Sequence, residues 1–320
     1  FSEKALGCFS MVKPSESTKT LASVAGDLYN LVEQFKDFKP VCAMHSYKLL
    51  EMVLKEQCNL KESDDQKRVE VKKPKEIASD SLQNPSDPDA TYSGHKGQGY
   101  QVQVMETYTD TEDQEVKSKT LNLVTQVEVE KASDSDAQAL IPAIESTQKR
   151  GLGPKELEAD TLYGSDENHQ RAKSMGVELV APAKGKEKKD AVSLSDFELS
   201  DEGHVLACPE GQKPLTSKKK KTRFTQGFDC ETCAKCPLIN GCPVRPGKKY
   251  YYLHYDERAM RIAKRRAAEQ TTEFKDRYRW RAGVEATMSE LDRRTGVKQL
   301  RVRGFKAVRF SATLKAIGIN

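Results

Sequence analysis

Residues 99–183 change between two kinds of hydrophobic spacing, and the order of these patterns restricts the fold more than any other feature of the chain. GYQVQVMETY and TLNLVTQVEVE alternate apolar and polar residues, which predicts a hairpin of two strands around the charged turn TDTEDQEVKSK. SDSDAQALIPAIESTQKRG has helical spacing after a capping-box-like Ser135 and Gln138, and KELEAD and VELVAPA are strand patterns that flank a further helix. This order predicts an α/β fold, a mixed sheet with flanking helices.

The flanking segments divide the chain further. Helical spacing predicts one helix over 18–38 and another through SYKLLEMVLKEQ, and the polar residues 61–99 that follow are predicted to be a long loop. SKKKKTR at 217–223 is predicted to be a flexible, solvated run. The predicted segments are 1–95, a helical N-terminal remnant with a polar loop; 96–185, the α/β core; 186–255, a Lys- and Cys-rich insertion; and 256–320, a basic helical segment.

The charge of the chain is concentrated at its C-terminal end. Residues 258–320 hold 17 Lys or Arg against 6 Asp or Glu, although the whole chain carries a net charge of only +5. Such asymmetry favours contact with a polyanion over a merely solvated helix surface. No run of about 18 apolar residues is present, which excludes a membrane-spanning helix, and no secretory signal opens the sequence. We therefore expect a cytoplasmic protein.

Five of the eight cysteines fall within residues 208–242. Without a secretory signal, such clustering favours metal binding over disulfides. Cys230–Cys233 and Cys233–Cys236 both have Cys-x₂-Cys spacing, so two choices of zinc ligands are open, each completed by Cys208 and Cys242. The alternative is a set of reduced thiols without metal.

Two acidic residues stand where catalytic groups are found in folds of this kind. Asp160 ends the strand KELEAD, and α/β domains present catalytic groups at the carboxyl ends of strands, although Asp is also a common turn residue. Glu285 lies in the basic helix RWRAGVEATMSELDRR, where it either pairs with Arg281 one turn earlier or binds a metal. The spacing alone does not choose between these readings.

Four motifs in this order resemble the DDE-class transposases of insertion sequences, in the IS4-like superfamily: GHKGQGYQVQVMETY, EADTLYGSDEN, RAGVEATMSEL and LRVRGFKAVRFSATLKAIGIN. The resemblance covers most of the chain, including the cysteine cluster. It implies an RNase H-like fold that catalyses divalent-metal-dependent cleavage and strand transfer of DNA. Asp160 matches the family's second acid and Glu285 its third.

The resemblance also implies the cofactors and partners of such an enzyme. Asp160 and Glu285 would bind Mg²⁺ or Mn²⁺, and two such ions stabilise the attacking and leaving oxygens of phosphodiester exchange. It favours Cys208, Cys233, Cys236 and Cys242 as the structural zinc ligands. It implies double-stranded DNA, the transposon ends and the target, as partner of a homodimer associated with a bacterial or archaeal nucleoid. The residues expected to contact DNA are Arg281, Arg293, Arg294, Lys298, Arg301 and Arg303.

The family's first acid has no counterpart in this chain. It belongs to an Asp-Ser-Thr or Asp-Gly-Thr motif upstream of the hairpin, and no such motif occurs there; Asp87 and Asp89 lie in a polar loop, and Glu106 ends a different strand. Because Phe1 rather than Met opens the sequence, we expect an N-terminally truncated chain that is inactive as it stands. The alternatives are an RNase H-like nuclease or resolvase, and a non-catalytic, zinc-stabilised DNA-binding derivative of a transposase.

Overall fold

A computed structural model of the chain describes residues 14–63, 66–185 and 191–320. Its longer helices are α1 (Ser17–Phe35), α2 (Lys39–Cys42), α3 (His45–Gln57), α4 (Gln114–Lys119), α5 (Leu140–Lys149), α6 (Asp166–Ser174), α7 (Cys230–Ala234), α8 (Glu257–Glu269), α9 (Thr272–Tyr278), α10 (Ala282–Thr295) and α11 (Phe305–Ile317). Short 3-10 turns include Thr161–Tyr163 and Arg279–Arg281.

The strands are short and form several small sheets. They are β1 (Cys58–Ser63), β2 (Gln66–Val71), β3 (Thr91–Ser93), β4 (Gly97–Glu106), β5 (Val124–Lys131), β6 (Glu156–Glu158), β7 (Glu178–Val180), β8 (Glu198–Leu199), β9 (Val205–Ala207), β10 (Thr216–Lys220), β11 (Arg223–Phe228), β12 (Arg245–Pro246) and β13 (Tyr251–Asp256). The sheets have the orders β1-β2, β3-β4-β5, β6-β7, β8-β9 and β10-β11-β13-β12. The protein is thus a mixed α/β structure, as predicted, with separate small sheets among the described strands in place of one mixed sheet.

Two compact units account for the described residues. The first contains the chain up to Val102 with Val129–Asp134 and Lys298–Leu314, and the second contains Gln103–Glu128, Ser135–Val297 and Lys315–Asn320. The units interleave along the sequence because β4 and β5 pass from one to the other. The four consecutive segments inferred from the sequence describe a different kind of division and stay a prediction.

In the first unit, the predicted helices α1 and α3 pack on the β1-β2 hairpin. Their core holds Val32, Tyr47, Leu54 and Cys58, and the Tyr47 hydroxyl donates to the Val32 carbonyl at 2.8 Å. The prediction that residues 61–99 form a loop was wrong over β1, β2 and β3. This stretch has few apolar residues, but Val69 packs against the helices where β2 pairs with β1.

The acidic residues Asp87 and Asp89 of the first unit have a structural role. Asp87 accepts hydrogen bonds from the Tyr100 hydroxyl at 2.5 Å and from the Gly304 N–H at 3.1 Å. Asp89 accepts from the Phe305 N–H at 3.2 Å. These N–H groups lie at the start of α11, where backbone donors lack helical partners and carboxylates are favourable.

In the second unit, a βαβ arrangement carries the first of the candidate acids. β6 and β7 pair in parallel, with Leu157 opposite Leu179, and α6 connects them. Ile144, Ala172, Val177 and Leu179 are buried in one core with the helix α5, and this packing holds the pair of strands. Three predictions for this region differ from the structure: α4 lies within the expected charged turn, Ser135 makes no side-chain cap bond, and a 3-10 turn precedes α5.

The second unit also contains the cysteine-rich region. β10, β11 and β13 are antiparallel, and their inner side packs around Phe224, Phe228, Leu253 and Tyr255. The prediction of a flexible run at 217–223 was wrong, because Ser217–Lys220 lie on β10 and Arg223 opens β11. Among the residues that the structure describes, no helix has both the length and the apolar composition that crossing a bilayer requires.

Candidate catalytic and metal-binding residues

Asp160 stands at the carboxyl end of β6, in the turn before α6. Its carboxylate Oδ1 accepts from the Thr161 N–H at 2.6 Å, and the residue is exposed. The turn requires glycine at position 164, because a Cβ there would lie 1.8 Å from the carbonyl oxygen of Pro182. The local sequence therefore holds the Asp160 carboxylate at an exposed strand end, where α/β proteins present catalytic groups.

Glu285 lies in the first turn of α10, with its side chain largely exposed. Arg281 donates from Nη2 to its Oε1 at 2.8 Å, one helical turn away. Burial lowers the pKa of Arg281, but the hydrogen bond and charge of Glu285, with the charge of Asp160, raise it overall. The Glu285–Arg281 pair has the i, i+4 spacing of an ordinary ion pair on a helix.

Two further glutamates lie near these acids. Glu158, on β6, has both carboxylate oxygens buried without a hydrogen-bond partner in the described part of the chain. Burial and the negative charge of Glu156 raise the pKa of Glu158 to about 7. Glu106 ends β4 beside α10, with Oε1 3.8 Å from the position of a Cβ on Gly283. Burial raises the pKa of Glu106, and a hydrogen bond with Thr287 opposes the rise.

A cavity of about 480 Å³ adjoins Glu158 in the second unit. Arg277 closes one part of it by binding Glu156 at 2.6 Å and Glu178 at 2.7 Å, which joins the two parallel strands. Trp280, half-buried, lies below Arg279, whose Cζ is 4.8 Å from the ring centroid. The lining residues are Tyr108, Asp110, Glu156, Glu158, Glu273, Asp276, Arg277, Arg279 and Trp280.

The predicted DNA-contacting residues fall into both units. Arg281, Arg293 and Arg294 belong to α10 and its entry, and Arg294 pairs with Glu290 at 2.7 Å. Lys298, Arg301 and Arg303 belong to the first unit and are exposed. The two groups of residues stay predictions as DNA contacts.

Four of the five clustered thiols lie together. Cys208, Cys233, Cys236 and Cys242 line one cavity of about 490 Å³, whereas Cys230 does not line it. Burial, followed by the charges of Cys242, Cys208 and Cys236, raises the pKa of Cys233 to about 11. Backbone N–H groups point at two of the sulfurs: Gln212 donates to the Cys208 Sγ at 3.3 Å, and Val244 donates to Cys242.

The sulfur donors suit zinc in kind, because thiolates are its preferred structural ligands. In the described residues, however, the thiols are not close enough together to count as a metal site. Over 14–63, 66–185 and 191–320, no three His, Cys, Asp or Glu side chains lie where they could together hold a metal ion. Neither a zinc site nor a complete acid site is therefore formed by the described side chains as they stand.

A buried polar cluster that the sequence did not reveal lies between α6 and α8. Asp166 binds Arg261 at 2.7 Å and Arg265 at 3.2 Å. His169 lies near Arg265. Burial, followed by the positive charge of Arg265, lowers the pKa of His169 to about 4, and a hydrogen bond with the Ala181 backbone opposes this decrease. The i, i+4 spacing of the two arginines was the one available signal.

The low pKa of His169 gives a pH-dependent stability. The unfolded histidine takes up a proton below about pH 6.5 and the folded one only near pH 4, so stability is retained above pH 6.5 and lost as the pH falls towards 4. At pH 5 the loss is expected to be about 2 kcal/mol. Urea unfolding at pH 7.5 and 5.0 measures it. Between these pH values His169→Gln should lose less free energy of unfolding than the wild type. His45→Gln, at an exposed position, should lose as much as the wild type. Equal losses in all three proteins would refute the assignment to His169.

One family model matches the C-terminal part of the chain. Residues 207–320 match a family model described as a transposase DDE domain. The match begins just before Cys208 and includes Glu285, and Asp160 lies outside it. The match covers the C-terminal third of the chain and supports a transposase of the DDE class. No curated protein and no solved structure matches the chain.

Proposed function

We propose that the protein catalyses divalent-metal-dependent DNA cleavage and strand transfer at the ends of an insertion sequence, on an RNase H-like core. The observation that carries the proposal is that Glu285 lies within the matched transposase DDE domain, while Asp160 stands exposed at a strand end. A DDE transposase acts on DNA. The partner proposed here is double-stranded DNA, at the element's ends and at the target, bound by a cytoplasmic homodimer.

In this proposal Asp160 and Glu285 supply oxygen ligands to Mg²⁺ or Mn²⁺. The metal ions, when bound, stabilise the attacking and leaving oxygens of the exchanged phosphodiester. The Thr161 N–H donates a hydrogen bond to the Asp160 carboxylate, and this carboxylate is exposed to solvent. Arg281 would release Glu285 and instead neutralise a phosphate, as guanidinium groups do in bidentate contacts. Because no Asp-Ser-Thr or Asp-Gly-Thr motif precedes the hairpin, we expect this chain alone to be inactive.

The experiment uses the protein expressed from its complete reading frame and labelled DNA that carries the element's end. Cleavage and joining to a second DNA are expected with Mg²⁺ or Mn²⁺ and absent with EDTA, with both products resolved on a denaturing gel. Cleavage without joining would favour a nuclease or resolvase. Binding without any cleavage would contradict the proposal and favour a non-catalytic, zinc-stabilised derivative of a transposase.

We also propose that Cys208, Cys233, Cys236 and Cys242 hold a structural zinc. The shared cavity and the N–H groups aimed at two sulfurs support this ligand set over one that contains Cys230. Protein purified under reducing conditions is expected to contain about one zinc per molecule. Cys236→Ser should lower the zinc content and the melting temperature, and Cys230→Ser should change neither. Absence of zinc from the wild-type protein would contradict the proposal and favour the alternative, a set of reduced thiols without metal.

A further inference from the structure

One side of the sheet β10-β11-β13-β12 carries basic and aromatic side chains in register. Lys218, Thr225 and His254 lie opposite one another across three strands, and Tyr252 lies opposite Arg245. Directly opposed residues share a face of a sheet. We name this side the basic sheet face; its residues are Lys218, Lys220, Arg223, Thr225, Arg245, Tyr250, Tyr252 and His254.

The other side of the sheet is the core of the cysteine-rich region, so the two sides differ sharply. Phe224 is fully buried there and stacks on Tyr255 with ring centroids 5.0 Å apart. Lys219 belongs to this inner side, since its Nζ lies 4.9 Å from the Phe224 ring and 2.9 Å from Glu257. Alternation along β10 therefore directs its neighbours Lys218 and Lys220 to the outer side, where both are exposed.

The rings on the basic sheet face form a row along β13. Tyr252 and His254 stack with centroids 5.9 Å apart and an interplanar angle of 13°, and Tyr250 meets Tyr252 edge-on at 6.0 Å. Thr225 Oγ1 lies 3.1 Å from His254 Nδ1 and orients that ring. Gly227 leaves room for Tyr250, whose Cβ would lie 3.2 Å from a Cβ at that position.

Lysine and arginine side chains lie on both sides of this row of rings. Within the described part of the chain, Lys218, Lys220, Arg223 and Arg245 form no ion pair. The carboxylate in register with Arg223 is that of Asp256, which caps α8 by accepting from the Ala259 N–H at 2.7 Å. A face with free cations around a row of rings is complementary to a polyanion that also offers flat apolar surfaces.

We propose that the basic sheet face binds a single-stranded stretch of DNA. The lysine and arginine side chains contact successive phosphates, and the exposed His254 ring, backed by Tyr252, stacks on a base. Stacking needs a base that has left its duplex, and a positive groove with aromatic platforms is how single strands are bound without sequence preference. The inference rests on the proposed function in taking DNA as the substrate, and it adds a surface outside the acids and the C-terminal arginines.

Binding is measured by fluorescence anisotropy of the full chain with labelled oligothymidylate and with a duplex of equal length, in Ca²⁺ without Mg²⁺ or Mn²⁺. Because the proposed cleavage requires Mg²⁺ or Mn²⁺, failure of the catalytic proposal does not affect this result. Lys218→Glu/Lys220→Glu is expected to weaken single-strand binding about tenfold or more and to reduce the salt slope by about 1.4, at about 0.7 per phosphate. The matched control is Lys149→Glu/Lys173→Glu, which makes the same charge change at exposed positions and should leave affinity within about twofold.

A second pair of variants tests the ring. His254→Ala is expected to weaken single-strand binding about fivefold or more, whereas His254→Phe keeps a stacking surface and retains the affinity. Circular dichroism confirms that each variant is folded. Unchanged affinity in the lysine variant, an equal loss in its control, or an equal loss for duplex and single strand would each overturn the proposal.

Discussion

Asp160→Asn and Glu285→Gln are each expected to reduce the rate of DNA cleavage by about 10³-fold or more in the protein expressed from its complete reading frame. A metal ligand supports several kcal/mol of transition-state stabilisation, and each 1.4 kcal/mol corresponds to a factor of ten in rate. Both substitutions keep the size of the side chain and remove its charge. DNA binding in Ca²⁺ should stay within about twofold, because neither acid contacts phosphate directly in the proposed site. Single-turnover cleavage in Mg²⁺ measures the rates.

Each variant has a matched control on the same type of element. Glu290 pairs with Arg294 at 2.7 Å just as Glu285 pairs with Arg281 at 2.8 Å, so Glu290→Gln removes an equivalent helix ion pair from α10. Asp113→Asn is the control for Asp160→Asn. Asp113 accepts a hydrogen bond from the Glu115 N–H before α4, as Asp160 accepts one from the Thr161 N–H. Both controls should cleave at the wild-type rate. If Glu285→Gln were as active as Glu290→Gln, Glu285 would be a helix-pairing residue and not a metal ligand.

Asp166→Ala is expected to destabilise the second unit by about 3–5 kcal/mol, because it leaves two arginines around a buried, unpaired site. Asp166 is only 5% exposed, and its partner Arg265 already has Nε and Nη2 buried without hydrogen bonds in the described residues. Burial alone would raise the pKa of Asp166, but the hydrogen bonds and charges of Arg261 and Arg265 lower it. This carboxylate therefore stabilises the fold above about pH 4 and ceases to do so as the pH falls through its lowered pKa.

Chemical unfolding of the variants measures this loss. Glu167→Ala is the control, because Glu167 is exposed and occupies the same first turn of α6, so both changes remove one charge near the same helix end. It should cost no more than about 1 kcal/mol. A similar, small loss for both variants would show that the arginines near Asp166 are solvated in the folded protein and that the cluster contributes little.

Local periodicity was sufficient for the elements that build the βαβ arrangement. The strand that ends at Asp160, the helix after it and the following strand were all predicted, because their apolar residues pack into one core and so repeat at helical or strand spacing. The same reasoning failed where polar residues form strands. The strands β2 and β10 carry too few apolar residues for a pattern, yet each pairs with a neighbouring strand.

Local sequence patterns predicted only part of the candidate site. Asp160 and Glu285 were chosen by position and by resemblance, since a carboxylate has the same local pattern whether it caps a turn, pairs with an arginine or binds a metal. The buried pairing of Asp166 with Arg261 and Arg265 was not predicted, because it joins residues 95 and 99 positions apart, and long-range ion pairs leave no periodic trace. Which four thiols share a cavity likewise depended on how β11 and α7 pack.

The sequence by itself determined that the chain is α/β, that a strand, a helix and a second strand surround Asp160, and that a basic C-terminal segment and clustered thiols are present. These properties depend on residue type and spacing along the chain. Only the tertiary structure decided which side of each strand is covered, and hence that Lys219 lies over the buried Phe224 ring while Lys218 and Lys220 lie on the opposite side of the sheet, as His254 does. Burial and charge pairing depend on distances between residues far apart in sequence, and those distances exist only in the folded chain.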